Sequence, residues 1–417
     1  MTRIALTAVL ALLLTSLSAA LPTSRSMQYG NSFLQRSDGV HALYWNPANI
    51  GNGNLRHGDF VALNLGYRLD NNFLTISEYN DMTGTVLSTA DEDDLLNDAP
   101  ALLCFSGEGH SQFIGWSQDN MAICISTHAY GKSAFQREYL ELMFRGNEYN
   151  HAYTFDNPHN MFEAFTFADI TYGVGGYSVN DWLPGISWLP ETSFGYAASI
   201  LVGIASVESS RFYGSLETTE DGLSLNQTID MRLGLGGYGF KGLAGVSSQI
   251  DDNLSVGLTL DNILGLISWQ GKSQKRRYTV IADSILLADI DDTVINEKRV
   301  KLDNDGFISM LPVTLNLGAL YAWRNTSYSL DWQHRVNESP IGNAKPTLSM
   351  AAEYLPIEQL PLRLGWSGNR DRKGRLNVSL GYRNPKYEID ISVCPDGIFP
   401  SGEDMSLGWA LDWRLKY

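Results

Sequence analysis

No stretch beyond residue 20 carries the roughly 18 consecutive apolar residues that a membrane-crossing helix needs, yet two-residue alternation of apolar and polar side chains recurs along most of the chain. A period of two is the mark of a strand with two chemically different faces. In VALNLGYRL (61–69), Val61, Leu63, Leu65, Tyr67 and Leu69 oppose Ala62, Asn64, Gly66 and Arg68. LSVGLTL (254–260) and VTLNLGALY (313–321) repeat the pattern. YSLDW, LSMAAEY, NVSLGYR and YEIDISV continue it, so from residue 311 onward the chain reads as an antiparallel meander. In the last strand Leu407, Trp409, Leu411, Trp413, Leu415 and Tyr417 share one face, opposite Gly408, Ala410, Asp412, Arg414 and Lys416.

Two all-β architectures could use such strands. A soluble sandwich would bury one face and leave the other wet, but the apolar face here is aromatic and too large to leave uncovered. Its polar partner carries Asp331, Glu353, Arg383, Glu388, Asp390, Asp412 and Arg414. A transmembrane antiparallel barrel resolves the conflict, with lipid outside and a wet lumen inside. Tyr67, Tyr321, Trp332, Tyr354, Tyr382, Tyr387, Trp413 and Tyr417 lie near the ends of apolar faces, where an aromatic girdle meets lipid headgroups. Short links alternate with longer ones such as GNRDRKG (368–374), as expected of tight periplasmic turns and long outer loops.

The first twenty residues fit export. Arg3 precedes an apolar run from Ile4 to Leu14, broken by Thr7, and then TSLSAA with Ser18 and Ala20 as the small residues before a cut. That is the pattern of a secretory signal peptide, 1–20. A net charge of −16 argues against nucleic-acid partners, which need clustered cations. Three cysteines, Cys104, Cys124 and Cys394, make neither a disulfide framework nor a zinc site, although Cys104 and Cys124 could pair across strands. No metal or other cofactor is expected. His128 and His334 could each meet a carboxylate, but no nucleophile elbow, HExxH or Cys–His pattern accompanies them, so an enzyme is not expected.

The middle is less regular. STADEDDLLNDAP (88–100) and DSILLADIDDTVINEKRV (283–300) show helical spacing with acidic caps, and YLELMF (139–144) suits a short helix or a strand. Residues 70–100, 131–165 and 270–310 read as long irregular insertions. The glycines of GLGGYGFKGLAG (234–245) read as strand positions where lumen groups approach closely, since no βαβ setting accompanies them.

Between the signal peptide and the first clear strand, residues 21–57 lack alternation and form a lead-in to a barrel spanning 58–417. They contain DGVHALYWNPANIGNG (38–53), in which Pro47 fixes its own backbone and pushes Asn46 toward an extended conformation. In an exported chain followed by amphipathic strands, this segment resembles the N-terminal WNPA signature of the FadL-type and PorV-like outer-membrane barrel superfamily of Gram-negative bacteria. LELMFRGNEYNHAYTF, LTLDNILGLISW and LPLRLGWSGN extend the resemblance more weakly through the mature chain.

The resemblance implies a barrel of about fourteen strands, an even number as bacterial single-chain barrels require, with an N-terminal hatch. Tyr44, Trp45, Asn46, Pro47 and Ala48 would then form the hatch or conduit. It also implies one of two roles. The favoured one is a porin-like transport channel that passes a hydrophobic small-molecule ligand, and the other is a structural scaffold binding secretion-system proteins. Outer-membrane lipid is the expected surroundings. Trp413, Leu415 and Tyr417 resemble the terminal signal read by the outer-membrane assembly machinery.

Overall fold

Alternation predicts strands, and the computed structural model closes them into one barrel. It describes residues 23–51, 58–84, 86–156, 159–182, 190–285, 296–302, 306–336, 346–369, 372–395 and 405–417. The expected signal peptide lies outside the described residues. Among the described residues, eighteen hydrogen-bonded runs form a single sheet that closes on itself. Several runs are pieces of one stave, because consecutive pieces pair in the same direction with successive stretches of the same neighbour. Counted that way the barrel has fourteen staves, as the family resemblance implied.

In chain order they are β1 (Asp59–Asn71), β2 (Leu102–Gln118), β3 (Met121–Gln136), β4 (Ala152–Asp156 and Met161–Ser178), β5 (Glu191–Thr219) and β6 (Gly222–Gln249). Then come β7 (Leu254–Trp269 and Lys272–Ile285), β8 (Asn296–Leu302, Phe307–Met310 and Thr314–Trp323), β9 (Thr326–Arg335) and β10 (Thr347–Tyr354). β11 (Leu362–Asn369), β12 (Arg372–Arg383), β13 (Tyr387–Cys394) and β14 (Met405–Lys416) complete the set. All pair antiparallel with their sequence neighbours, and β14 returns to β1 from Asp59↔Lys416 to Asn71↔Met405.

The staves turn tightly at one end, as at 119–120, 250–253 and 324–325. Longer connections gather at the other end, although only residues 220–221 join β5 to β6. There, helices Ile76–Met82, Thr89–Asp98 and Glu138–Arg145 pack against the tops of the staves, burying Phe73, Leu95 and Leu103 in one cluster and Tyr153, Phe155 and Phe212 in another. Thr75 and Ser88 start the first two helices with capping boxes closed by Glu78 and Asp91. YLELMF resolves as a helix.

Side-chain direction follows the alternation. Along β14, Trp409 and Trp413 are exposed while Gly408, Ala410, Asp412 and Arg414 are buried inside. Of the expected girdle, Tyr321, Tyr354, Tyr382, Trp413 and Tyr417 are exposed, whereas Tyr67, Trp332 and Tyr387 are partly covered.

Four expectations are corrected. Val61 is buried in the lumen rather than facing lipid, because β1 changes register between Val61 and Leu65 and Leu63 takes a positive φ of 57°. The bulge adds one residue and exchanges the faces below it. Residues 131–165 and 270–310 are not irregular insertions, since β3, β4, β7 and β8 run through them. The helical spacing of 283–300 fails at Asn296–Leu302, which pairs with Lys275–Ile281 as a strand, and 286–295 lies outside the described residues. The cysteines are free, because the register puts Cys104 opposite Ala134 and Cys124 opposite Gly115.

Candidate functional site

The interior is filled from the tight-turn side by the lead-in segment. Every residue from Thr23 to Ile50 is buried except Arg36 and Asp38, which are half-buried. Short helices at Ser24–Met27 and Gly39–Ala42 and a 3-10 turn at Pro47–Asn49 fold the segment into a compact body. Such a coil needs partners for its polar groups, and the barrel wall supplies them.

The strongest of these are ionic. Arg25 pairs with Glu388 at 3.1 Å and with Asp390, and Ser24 donates to Asp412 at 3.1 Å. Arg414 reaches Asp38 at 2.6 Å, Glu388 at 2.8 Å and Asp59 at 3.4 Å. Arg363 joins Glu353, at 2.7 Å, to Asp390, and the Tyr29 hydroxyl donates to the same Glu353 at 2.7 Å. Asp331 accepts from the Leu34 amide at 2.7 Å. The inward charges were expected to face a wet lumen. They are buried against the lead-in segment, where guanidinium groups and backbone amides replace much of their solvent. Buried charge is tolerable when it is paired in this way.

Asp38 shows the balance of forces. Burial alone would raise its carboxyl, but the adjacent Arg414 charge and hydrogen bond hold it below the usual carboxylate value.

The apolar side chains of the segment pack together and against the wall. Tyr29, Phe33, Leu34, Val40, Leu43, Tyr44, Trp45 and Ile50 form one cluster with Val61, Ala122, Cys124, Ala197 and Leu243 of the wall. Of the residues singled out from sequence, Tyr44 places its hydroxyl 3.0 Å from Ser126 Oγ and 3.2 Å from Asp169. Trp45 stands edge-on to Phe33 at 5.9 Å. Asn46 is extended, with φ −145° and ψ 97°; its side chain accepts from the Ala48 amide at 3.2 Å and donates to the Val246 carbonyl at 3.2 Å. Pro47 and Ala48 lie directly on Gly175 of β4 and Gly195 of β5, where an added Cβ would overlap the Pro47 carbonyl. These five residues are brought together. Trp413, Leu415 and Tyr417 are not among them: they lie on the outer wall, with the Tyr417 hydroxyl donating to the Ser117 carbonyl at 3.0 Å.

Below the segment, on the tight-turn side, is a polar cavity of about 710 Å³ lined by residues including Arg25, Arg36, Glu353, Glu388, Arg414 and Lys416. On the opposite side one sector of the inward wall is apolar. Tyr130, Phe165, Phe167, Leu201, Ile267, Trp269 and Leu311 are buried together, with Phe307 against them. The Trp269 ring lies over Gly203, Gly234 and Gly237, and its indole nitrogen donates to Ser309 at 2.9 Å. Between this cluster and Tyr44 sit His110 and His128, with ring centres 4.6 Å apart and His128 Nε2 3.4 Å from Asp169. His334 instead stacks on Trp332 at 5.5 Å. Sequence reading missed the aromatic cluster. The signal available was Ile267 and Trp269 on one parity opposite a run of glycines in β6.

No protein-family model matches the chain, and no curated protein matches it. Solved structures do. The toluene transporter TbuX of Ralstonia pickettii is 12% identical with a TM-score of 0.50, covering 97% of this chain and 99% of its own. The TodX deltaS2S3 mutant monoaromatic hydrocarbon channel is 11% identical with a TM-score of 0.54, covering 95% of this chain and 99% of its own. At this identity the likeness is one of fold, and it runs along almost the whole chain.

Proposed function

We propose that this chain is an outer-membrane channel through which hydrophobic small molecules pass, with residues 21–57 as its hatch and Tyr44, Trp45, Asn46, Pro47 and Ala48 at the hatch's core. The observation that carries this reading is the inward-facing cluster of Tyr130, Phe165, Phe167, Ile267, Trp269 and Leu311. Barrel lumens are ordinarily polar. An aromatic lining gives an apolar solute a surface that water does not compete for. The fold shared with a toluene transporter and a monoaromatic hydrocarbon channel supports the same direction. In this reading residues 1–20 are the signal peptide, and Trp413, Leu415 and Tyr417 are presented to the assembly machinery.

The test is uptake of toluene by liposomes carrying the purified barrel, against the same liposomes without protein. Trp269→Ala removes the largest side chain of the apolar lining, so it should change the uptake rate while heat-modifiable gel mobility is retained. Uptake no faster than in protein-free liposomes, for both forms, would reject the channel.

A further inference from the structure

The outer wall near the loop end carries a cationic patch that the proposed channel does not use. β7 alternates in its second segment, and the two faces are treated differently. Inward, Lys275 and Arg277 are held by Asp230 at 4.0 and 2.6 Å. Outward, Lys272 and Arg276 are exposed, and among the described residues neither is bonded to a carboxylate; Arg276 meets only the Gln274 amide, at 2.7 Å. The next stave adds Arg299 and Lys301 on the same face, with Lys301 directly opposite Arg276 in the register. Like charges opposite each other destabilise a sheet unless an anion lies between them. Glu297 answers only Arg299, at 3.6 Å. Four outward cations gathered here are conspicuous in a chain whose net charge is −16.

Beside the cations the wall forms a groove of about 510 Å³ in the fold's outer face at β4 to β7, floored by Ala164, Thr166, Ala205, Val207, Leu233 and Leu235 and bordered by Lys272 and Arg276. Its height fits a leaflet boundary. A tilted strand spans the hydrocarbon in about 9–11 residues. On β7, exposed Leu258, Leu260 and Leu264 supply the lipid-facing band before the chain reaches Lys272.

We propose that this patch binds a phosphorylated, multiply acylated glycolipid of the outer leaflet, an acyl chain lying in the groove and a phosphate between Arg276 and Lys301, with Lys272 at its edge. Charge complementarity selects phosphate over a zwitterionic headgroup, and the largely apolar floor admits an acyl chain. The inference rests on the barrel being membrane-embedded but not on what passes through it.

Barrel purified in mild detergent is titrated with diphosphoryl lipid A, with the same lipid stripped of phosphate, with phosphatidylcholine and with inorganic phosphate, and bound lipid is read by native mass spectrometry. Diphosphoryl lipid A should bind most tightly, and Arg276→Gln with Lys301→Gln should weaken it by at least about tenfold, the loss expected for one charged hydrogen bond. Lys275→Gln, on the inward face, should leave binding unchanged. Equal binding of stripped lipid, or equal binding by the double variant with native heat-modifiable mobility, would overturn the proposal. Inorganic phosphate competing as strongly as the lipid would also overturn it, by assigning the site to free anion. Toluene uptake by the double variant keeps failure here distinct from failure of the channel.

Discussion

Arg414 of β14 donates to the Asp38 carboxylate at 2.6 Å, tying the stave that closes the barrel to the segment that fills it. The same guanidinium holds Glu388 and Asp59, so one side chain links the lead-in to β13 and β1 as well.

Asp38 makes this contact pH-dependent. Its folded-state pKa is depressed, so the stability it contributes is present above its ordinary value near 4 and is lost as the pH falls through the lower, folded value. Hydrogen exchange of residues 38–45, corrected for the intrinsic rate, should be flat between pH 5 and 8 (about the range where carboxylates stay ionised) and should accelerate below about pH 4. Asp38→Asn should show the faster exchange already at neutral pH, with a loss of about 1.5–3 kcal/mol.

Gly175 sets how closely the segment seats on the wall. Gly175→Ala places a methyl on the Pro47 carbonyl, an overpacking cost of about 1–3 kcal/mol. The seat should loosen while the barrel persists. Expected are native heat-modifiable mobility, faster proteolysis between residues 36 and 51, and faster uptake of hydrophobic probes by liposomes. Unchanged proteolysis and uptake would deny Pro47 a gating role.

Leu317 and Asn316 separate the two faces. Leu317 is exposed on the outside, and Leu317→Arg near the bilayer midplane should cost about 2–4 kcal/mol. Sequence alone places Asn316 on a wet lumen where Arg would be cheap. It is buried and donates to Thr259 at 3.0 Å, so Asn316→Arg should also cost about 1–3 kcal/mol, by overpacking rather than by lipid exposure. Denaturant unfolding from vesicles and from detergent distinguishes them: the Leu317 penalty should shrink in detergent, and the Asn316 penalty should not.

Tyr417 bonds across the seam to the Ser117 carbonyl, and its ring lies beside Gly58. Tyr417→Phe removes the hydrogen bond alone, worth about 0.5–1.5 kcal/mol. Tyr417→Ala also removes the ring from the outer wall. The folded, heat-modifiable fraction should fall in the order wild type, Phe, Ala, and equal fractions for all three would remove Tyr417 from assembly.

The sequence by itself determined the barrel class and most side-chain directions, because alternation is a local property with a period of two: Trp409 and Trp413 outward, Asp412 and Arg414 inward, follow from position alone. It marked Asn46 and Pro47 as a rigid turn for the same reason, since proline acts on its own backbone and its neighbour's. Only the tertiary structure decided what depends on a partner far along the chain. Val61 turns inward because a bulge between Val61 and Leu65 shifts the register against β14, and Asn296–Leu302 is a strand because β7 offers it an edge. The inward charges are buried and paired because Arg25, Asp38 and Tyr29 arrive from some 300 or more residues away. Such long-range pairings are set by the closure of the sheet, which fixes which wall residues surround the lead-in, and no local pattern records that.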